Sequence, residues 1–309
     1  MDPLLNPAPI LMVAHRRPRE FMSVFSKVYE GRARNLYVFC DGPRNAEESR
    51  AQEKILEICS PLNPRMQIRR NFQSHNLGLR ASMLSAIDWF FEQEPEGIIL
   101  EDDILPGEDF IEFCEFGLNQ FRSTHEVLQI GGYNALGWVP SIFYNSRTML
   151  FSPRLDCWGW ATWSDRWRSF RTEKNGPPVT PHSKHAPLSL FLELQRGADL
   201  AQSGQIDSWA YSWAYFGLNR GGLSVIPKAN LVSNIGFGNA ATHTKRGRKV
   251  RIYPALKQKH FPGIVSSDIG YARILAAMYY LERKMWRLLK RSKKSFAWLF
   301  RSLQKRLRP

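Results

Sequence analysis

Hydrophobic residues in the first 130 positions fall in short unbroken runs separated by amphipathic stretches. Ile10-Leu-Met-Val-Ala14 reads as a buried strand, followed by the polar turn His15-Arg-Arg-Pro18 and a helical stretch through Tyr29. Residues 36–40 (Leu-Tyr-Val-Phe-Cys) predict a second strand ending at Asp41-Gly42-Pro43, and residues 47–59 an amphipathic helix. A short third strand is predicted at 66–69, a helix at 79–91, a fourth strand at 97–100 running into Glu101-Asp-Asp103, and a helix at 109–121. Continuous apolar runs alternating with helical patterns indicate a mixed, mostly parallel sheet flanked by helices. The fold class expected is α/β, Rossmann-like.

Beyond Gly132 aromatic residues become dense and Gly/Pro punctuation more frequent. Residues 175–181 (Asn-Gly-Pro-Pro-Val-Thr-Pro) predict a loop, and Val225-Ile226 and Leu231-Val232 predict short strands on either side of a turn. Residues 129–262 read as the second half of the same domain, with long functional loops, and residues 1–128 as its first half. Trp160, Trp163 and Trp167 share an i, i+3, i+7 spacing, which predicts a core-facing helical stripe; Trp158 lies off it. Trp209, Tyr211, Trp213 and Tyr215 fit both a period of two and a helical i, i+4 spacing, so periodicity leaves strand and helix open.

Charge changes the picture at the C-terminus. The chain of 309 residues carries a formal +15, of which +11 belongs to residues 271–309 and +4 to the rest. Ile274, Met278, Leu281, Met285 and Leu288 form one apolar stripe, and Phe296, Leu299, Phe300, Leu303 and Leu307 a second, with Arg and Lys on the remaining faces. Residues 263–309 therefore read as a basic amphipathic helical tail suited to an anionic membrane surface, and nucleic acid is not the expected partner. A solvated charged tail is the plainer alternative, against which stand Trp286, Phe296, Trp298 and Phe300 on the apolar side. No uncharged apolar run approaches the roughly 20 residues of a membrane span. The N-terminus lacks a basic signal region, and the four cysteines show no paired spacing. A cytoplasmic protein, peripheral on the inner face of the cell membrane, is expected.

Ligands of parallel sheets sit at the carboxyl ends of strands. His15 and Arg16 follow the first predicted strand, Asp41 the second, and Glu101-Asp102-Asp103 the fourth. Adjacent carboxylates leaving a buried strand suit a hard divalent cation, which can bridge a diphosphate. The alternative is acids favouring the N-terminal approach to the next helix.

The segment Gly97-Ile-Ile-Leu-Glu-Asp-Asp-Ile-Leu-Pro-Gly-Glu-Asp-Phe110 resembles the DxD-type region of GT-A glycosyltransferases, most closely the N-acetylglucosaminyltransferase I type. Asn76-Leu-Gly-Leu-Arg80 resembles a segment of family-2-like nucleotide-sugar transferases, and Gly159-Trp-Ala-Thr-Trp163 with Asp165-Arg-Trp167 resembles the acceptor-side segment of the same group. The resemblance spans about residues 8–245.

It implies a GT-A-like fold, Mn²⁺ or Mg²⁺ on Asp103, donor ribose and sugar near Glu101 and Asp102, a nucleobase read by Asp41, and Arg16 and Arg80 near the nucleotide. Asp207, in Ile206-Asp-Ser-Trp209, is similar to the family's catalytic base, though one residue further from the tryptophan and without a second acid. Trp158 would stack on an acceptor sugar, and His243 lies near a late histidine of the family. Without the family, Asp41 is a turn residue, Arg16 and Arg80 solvated arginines, Asp207 a helix N-cap and His243 a structural histidine. The function implied is a metal-dependent, inverting glycosyltransferase. It would move a sugar from a nucleotide-sugar donor, UDP favoured, to a glycan or lipid-linked acceptor in surface polysaccharide or glycolipid synthesis. The rival is a catalytically silent basic α/β protein that binds membrane or nucleic acid.

Overall fold

A computed structural model describes residues 7–31, 34–60, 66–137, 149–173, 186–236 and 271–277. His243, the predicted loop at 175–181 and all of the 263–309 tail except residues 271–277 lie outside the described residues.

The elements run in the order β1 (Ile10–Ala14), α1 (Pro18–Tyr29), β2 (Asn35–Cys40), α2 (Ala46–Ile58), β3 (Gln67–Phe72), α3 (Leu79–Phe91), β4 (Glu96–Glu101), β5 (Ile104–Pro106) and α4 (Phe110–Phe121). They continue with β6 (Val127–Gly131), β7 (Met149–Ser152), β8 (Trp160–Trp163), α5 (Ser164–Thr172), α6 (Leu188–Gln202), α7 (Ala210–Asn219), β9 (Leu223–Pro227) and β10 (Val232–Asn234). Residues 271–277 form a further helical segment.

Eight strands make one sheet in the order β3-β2-β1-β4-β8-β6-β9-β7. All pairs from β3 to β4 are parallel, β8 runs antiparallel to both β4 and β6, β9 is parallel to β6, and β7 is antiparallel to β9. This is the expected α/β fold, a mostly parallel sheet flanked by helices. Alternate residues of each central strand face opposite layers. Ile10, Met12, Leu36 and Val38 pack with Phe21, Phe25, Phe110 and Leu118 of α1 and α4. Leu11, Val13, Tyr37 and Phe39 pack with Met83, Phe90, Trp167, Leu194 and Trp213 of α3, α5, α6 and α7. Burial on both faces is why these strands read as apolar runs.

Trp160 and Trp163 do not form a helical stripe with Trp167. They lie on β8, where a spacing of three sends their side chains to opposite faces. Trp160 joins Trp167, Trp209 and Trp213, with ring centroids 5.6–6.4 Å apart. Core packing was the right expectation for them; the element was not, because a strand buried on both faces and a buried helix share the same apolar pattern. The Trp209–Tyr215 stretch resolves as helix, with Trp209 at the N-cap of α7. Val225-Ile226 falls on β9 as expected, and of Leu231-Val232 only Val232 is in a strand, the first residue of β10. The two strands do not pair with each other, since β10 forms a separate two-stranded ribbon with β5. The helix at 271–277 buries Tyr271, Ala272, Leu275 and Ala276 against the α3/α6/α7 layer, so these seven residues pack with the domain.

Candidate functional site

The strand order reverses at β1: the chain steps outward to β2 and β3 and returns to β4 on the other side. Such a reversal opens a crevice at the carboxyl ends of the strands. Register decides what lines it. Ala14 pairs with Cys40, Cys40 with Phe72, and Val13 with Glu101. The first residues past the strand ends, Gln73, Asp41, His15 and Asp102, therefore gather at one edge, with Asp102 one step back in register, where it accepts the His15 amide at 3.3 Å. The Asp41 amide donates to the Ala14 carbonyl at 2.9 Å, and that of Gln73 to the Cys40 carbonyl at 2.9 Å.

Asp102 and Asp103 are buried, and Glu101 is half-buried. Burial, with repulsion among the three acids, pushes the Glu101 carboxyl well above the usual carboxylate range; burial does the same to Asp102 against the pull of Arg17. Among the described residues the cation that meets these acids is Arg17. Its guanidinium pairs directly with Asp103 Oδ2, and its Nε lies 3.5 Å from Asp102 Oδ1. Burial works against the Arg17 charge, but the two aspartates outweigh it and hold the guanidinium protonated. Arg17 is the N-cap residue of α1, with Pro18 opening the helix and the Phe21 amide donating to the Arg17 carbonyl at 2.9 Å. Its side chain is thus free to cross to the end of β4. The ribbon of β5 and β10 closes this corner. The Ile235 amide donates to the Asp103 carbonyl at 2.8 Å, and a Cβ on Gly236 would collide with both the Asp103 carboxylate and the Arg17 guanidinium.

On the neighbouring strand ends Asp41 accepts from the Gly42 amide at 2.8 Å, the Leu77 amide at 2.9 Å and Asn76 Nδ2 at 2.9 Å. Asn76 Nδ2 also lies 3.2 Å from His15 Nε2. Asp41 therefore ties the loop after β2 to the loop after β3, which is more than its turn position alone indicates. Arg16 faces away from the acid triplet and pairs with Glu48 at 3.4 Å. His15 meets the same carboxylate at 3.4 Å, and burial, only partly opposed by Glu48, lowers its pKa.

Arg80 and Asp207 come together elsewhere on the rim. Asp207 accepts from the Leu79 and Arg80 amides, each at 2.9 Å, and so caps α3, whose own N-cap is Gly78 at φ +83° and has no side chain to offer. Arg80 donates to the Ala201 carbonyl at 2.8 Å, in the last turn of α6. An acid on one helix N-terminus and an arginine on another helix C-terminus clamp α3 to the α6–α7 connection with favourable dipole polarity at both ends. Trp158 is half-buried against Tyr133, with ring centroids 4.6 Å apart. It follows the sheet's antiparallel logic: β8 starts on the edge where β4 and β6 end.

Of the expected residues, Asp41, Glu101, Asp102 and Asp103 line one sheet edge. Arg16 flanks it through Glu48, and Arg80 and Asp207 meet each other. Arg17 and Glu48 were not anticipated. The signal for Arg17 was its position between a strand end and a helix-opening proline; Glu48 gave none, being one of several acids on an amphipathic helix.

No protein-family model matches the chain, and no curated protein does. Among solved structures the chain is similar to apo UDP-glucose pyrophosphorylase, at 8% identity and a TM-score of 0.40, covering 89% of this chain and 99% of that one. A likeness of that degree carries no argument about chemistry, and the site stands on its own geometry.

Proposed function

We propose that this chain is a glycosyltransferase that moves a sugar from a nucleotide-sugar donor, UDP favoured, to a glycan or lipid-linked acceptor. The observation that carries this reading is the meeting of the Glu101–Asp103 triplet, Arg17 and the Asp41–Asn76 loop tie in the crevice where the strand order reverses. Among the described residues no three acid, histidine or cysteine side chains converge to cage a metal, so a divalent cation here would rest on Asp103 and share its remaining positions with the diphosphate. The oxygens at this corner are carboxylate oxygens, the donors a hard divalent cation takes, and a cation there would favour the charged forms of Glu101 and Asp102 that burial disfavours. Asp103 would hold Mn²⁺ or Mg²⁺, with Asp102 beside it, and the cation would neutralise the diphosphate as leaving group. Asp41 and Asn76 would hold the two loops at the nucleoside end. Arg17 and the flanking Arg16 would supply further positive charge to the phosphates.

The transfer also needs a base for the acceptor hydroxyl. Asp207 is the candidate, but both its oxygens already accept backbone hydrogen bonds, so to act as the base it would have to leave its place at the start of α3. Trp158, with Tyr133 against it, would offer an aromatic face to the acceptor sugar. The tail supports attachment to an anionic membrane surface. Within 271–277 Ile274 of its apolar stripe remains 37% exposed, and no helix of the described residues is long and apolar enough to cross a membrane.

The test is release of UDP from UDP-sugars with and without candidate acceptors, together with product analysis. Acceptor-dependent UDP release with a new glycosidic product, and a raised acceptor KM in Trp158→Ala, is the expected result. Free sugar alone would make the protein a hydrolase. No turnover and no donor binding would leave the silent binding protein.

A further inference from the structure

Among the described residues, the corner where Arg17 meets the acid triplet holds one basic group and one seat. Arg17 takes the outer oxygen of Asp103 directly and approaches Asp102, while Arg16, its neighbour in the chain, is turned to Glu48. Above the pair Gly236 comes so close that even a methyl group would not fit. A divalent cation on that oxygen of Asp103 and the guanidinium cannot occupy the same place, and in so confined a corner they repel. The backbone of Arg17 is fixed by Pro18 and the first turn of α1, so only its side chain is free to leave.

We propose that Arg17 is a resident counter-cation that a divalent metal must displace from Asp103, and that the displaced guanidinium is re-paired by the donor's diphosphate. The inference rests on the metal-dependent reading above. Its consequence is thermodynamic coupling. Metal alone must break the Arg17–Asp103 pair and leave the guanidinium only its longer approach to Asp102. Metal arriving with a diphosphate breaks the same pair but supplies the guanidinium with two acceptor oxygens in its preferred bidentate geometry. Each ligand therefore raises the affinity of the other by the same factor. Arg17 is a positioning residue here: it sets the order and cooperativity of loading.

The experiment is a Mn²⁺ titration of the full chain followed by the EPR signal of free Mn²⁺, with and without UDP. It is run on the wild type, Arg17→Gln, Arg17→Lys and Asp103→Asn, each checked for a cooperative melt. The expected result is that Arg17→Gln binds Mn²⁺ about tenfold or more tightly in the absence of UDP, because the competing charge is gone. The enhancement that UDP gives the wild type shrinks to near unity in the same variant. Arg17→Lys, which keeps the charge but loses the fork, lies between the two and keeps the proposal testable should Arg17→Gln fail to fold. Unchanged or weaker Mn²⁺ binding in both Arg17 variants, with Asp103→Asn abolishing binding, overturns the displacement while leaving the metal reading intact. Absence of Mn²⁺ binding to every protein, UDP present, overturns both.

Discussion

Replacing Asp207 separates two roles that its position allows. Its carboxylate accepts the Leu79 and Arg80 amides at 2.9 Å each, the first two donors of α3, and Gly78 has no side chain to replace it. Losing an N-cap acceptor costs about 1 kcal/mol. Losing a negative charge from an exposed helix N-terminus costs about 0.5 kcal/mol more. Asp207→Ala should therefore destabilise by about 1.5 kcal/mol, and Asp207→Asn, which keeps one acceptor, by about 0.5 kcal/mol. For a domain of this size the first corresponds to a fall of about 3 °C in Tm. Urea unfolding followed by far-UV circular dichroism reads the difference directly, and a double-mutant cycle with Arg80→Ala reports whether the two halves of the clamp act together. If Asp207 is a cap, sugar transfer by Asp207→Asn survives within about tenfold. An unchanged urea midpoint for Asp207→Ala, with transfer by Asp207→Asn lost about a thousandfold or more, would refute the capping argument and return the residue to catalysis.

Gly236→Ala forces a methyl group into the Arg17–Asp103 pair, and should cost about 1–3 kcal/mol in thermal stability while lowering UDP-dependent stabilisation; a normal response to both would show that the ribbon does not seat on the site. Glu48 is held at a pKa of about 2, chiefly by its hydrogen bond from Arg44. A carboxylate whose folded pKa lies below its unfolded value of about 4.5 stabilises the fold above that pH and loses the contribution as pH falls toward 2. Glu48→Gln should thus flatten the acid limb of urea stability between pH 4.5 and 2, and an unaltered limb would contradict the pairing. Leu275 is fully buried, so Leu275→Ala should cost about 2–5 kcal/mol, and truncation before residue 271 should be more damaging than truncation after 277; equal melts for the two truncations would detach this helix from the core.

The parallel half of the fold was readable because β1, β2 and β4 are apolar runs and the stretches between them have helical spacing; β3, a polar edge strand, was read only as the short segment 66–69. The acids at the ends of β2 and β4 were readable for the same reason: the strand ends located them. What escaped the pattern depends on partners far away in the chain. β5 and β10 are three residues each and exist as a ribbon only through each other, with Ile104 paired to Asn234 from the far end of the domain sequence. The N-cap of α3 comes from Asp207, which no local signature of Gly78-Leu-Arg80 announces. Arg17 rather than Arg16 meets the acids because the turn into Pro18 decides which of two adjacent arginines faces β4. β8 was misread as part of a helix since both its faces are buried, Trp163 in one layer and Trp160 in the other.

The central claim is that the crevice at the ends of β1, β2 and β4 binds a nucleotide diphosphate with a cation on Asp103. Thermal unfolding of the full chain with UDP, GDP, ADP or dTDP, each with and without Mn²⁺, tests it most directly. A ligand at a hundred times its dissociation constant stabilises by about 2.7 kcal/mol, an easily visible shift. A Mn²⁺-dependent rise in Tm with one nucleotide, abolished by Asp103→Asn, is the predicted result; a cooperative melt that no nucleotide moves would contradict it.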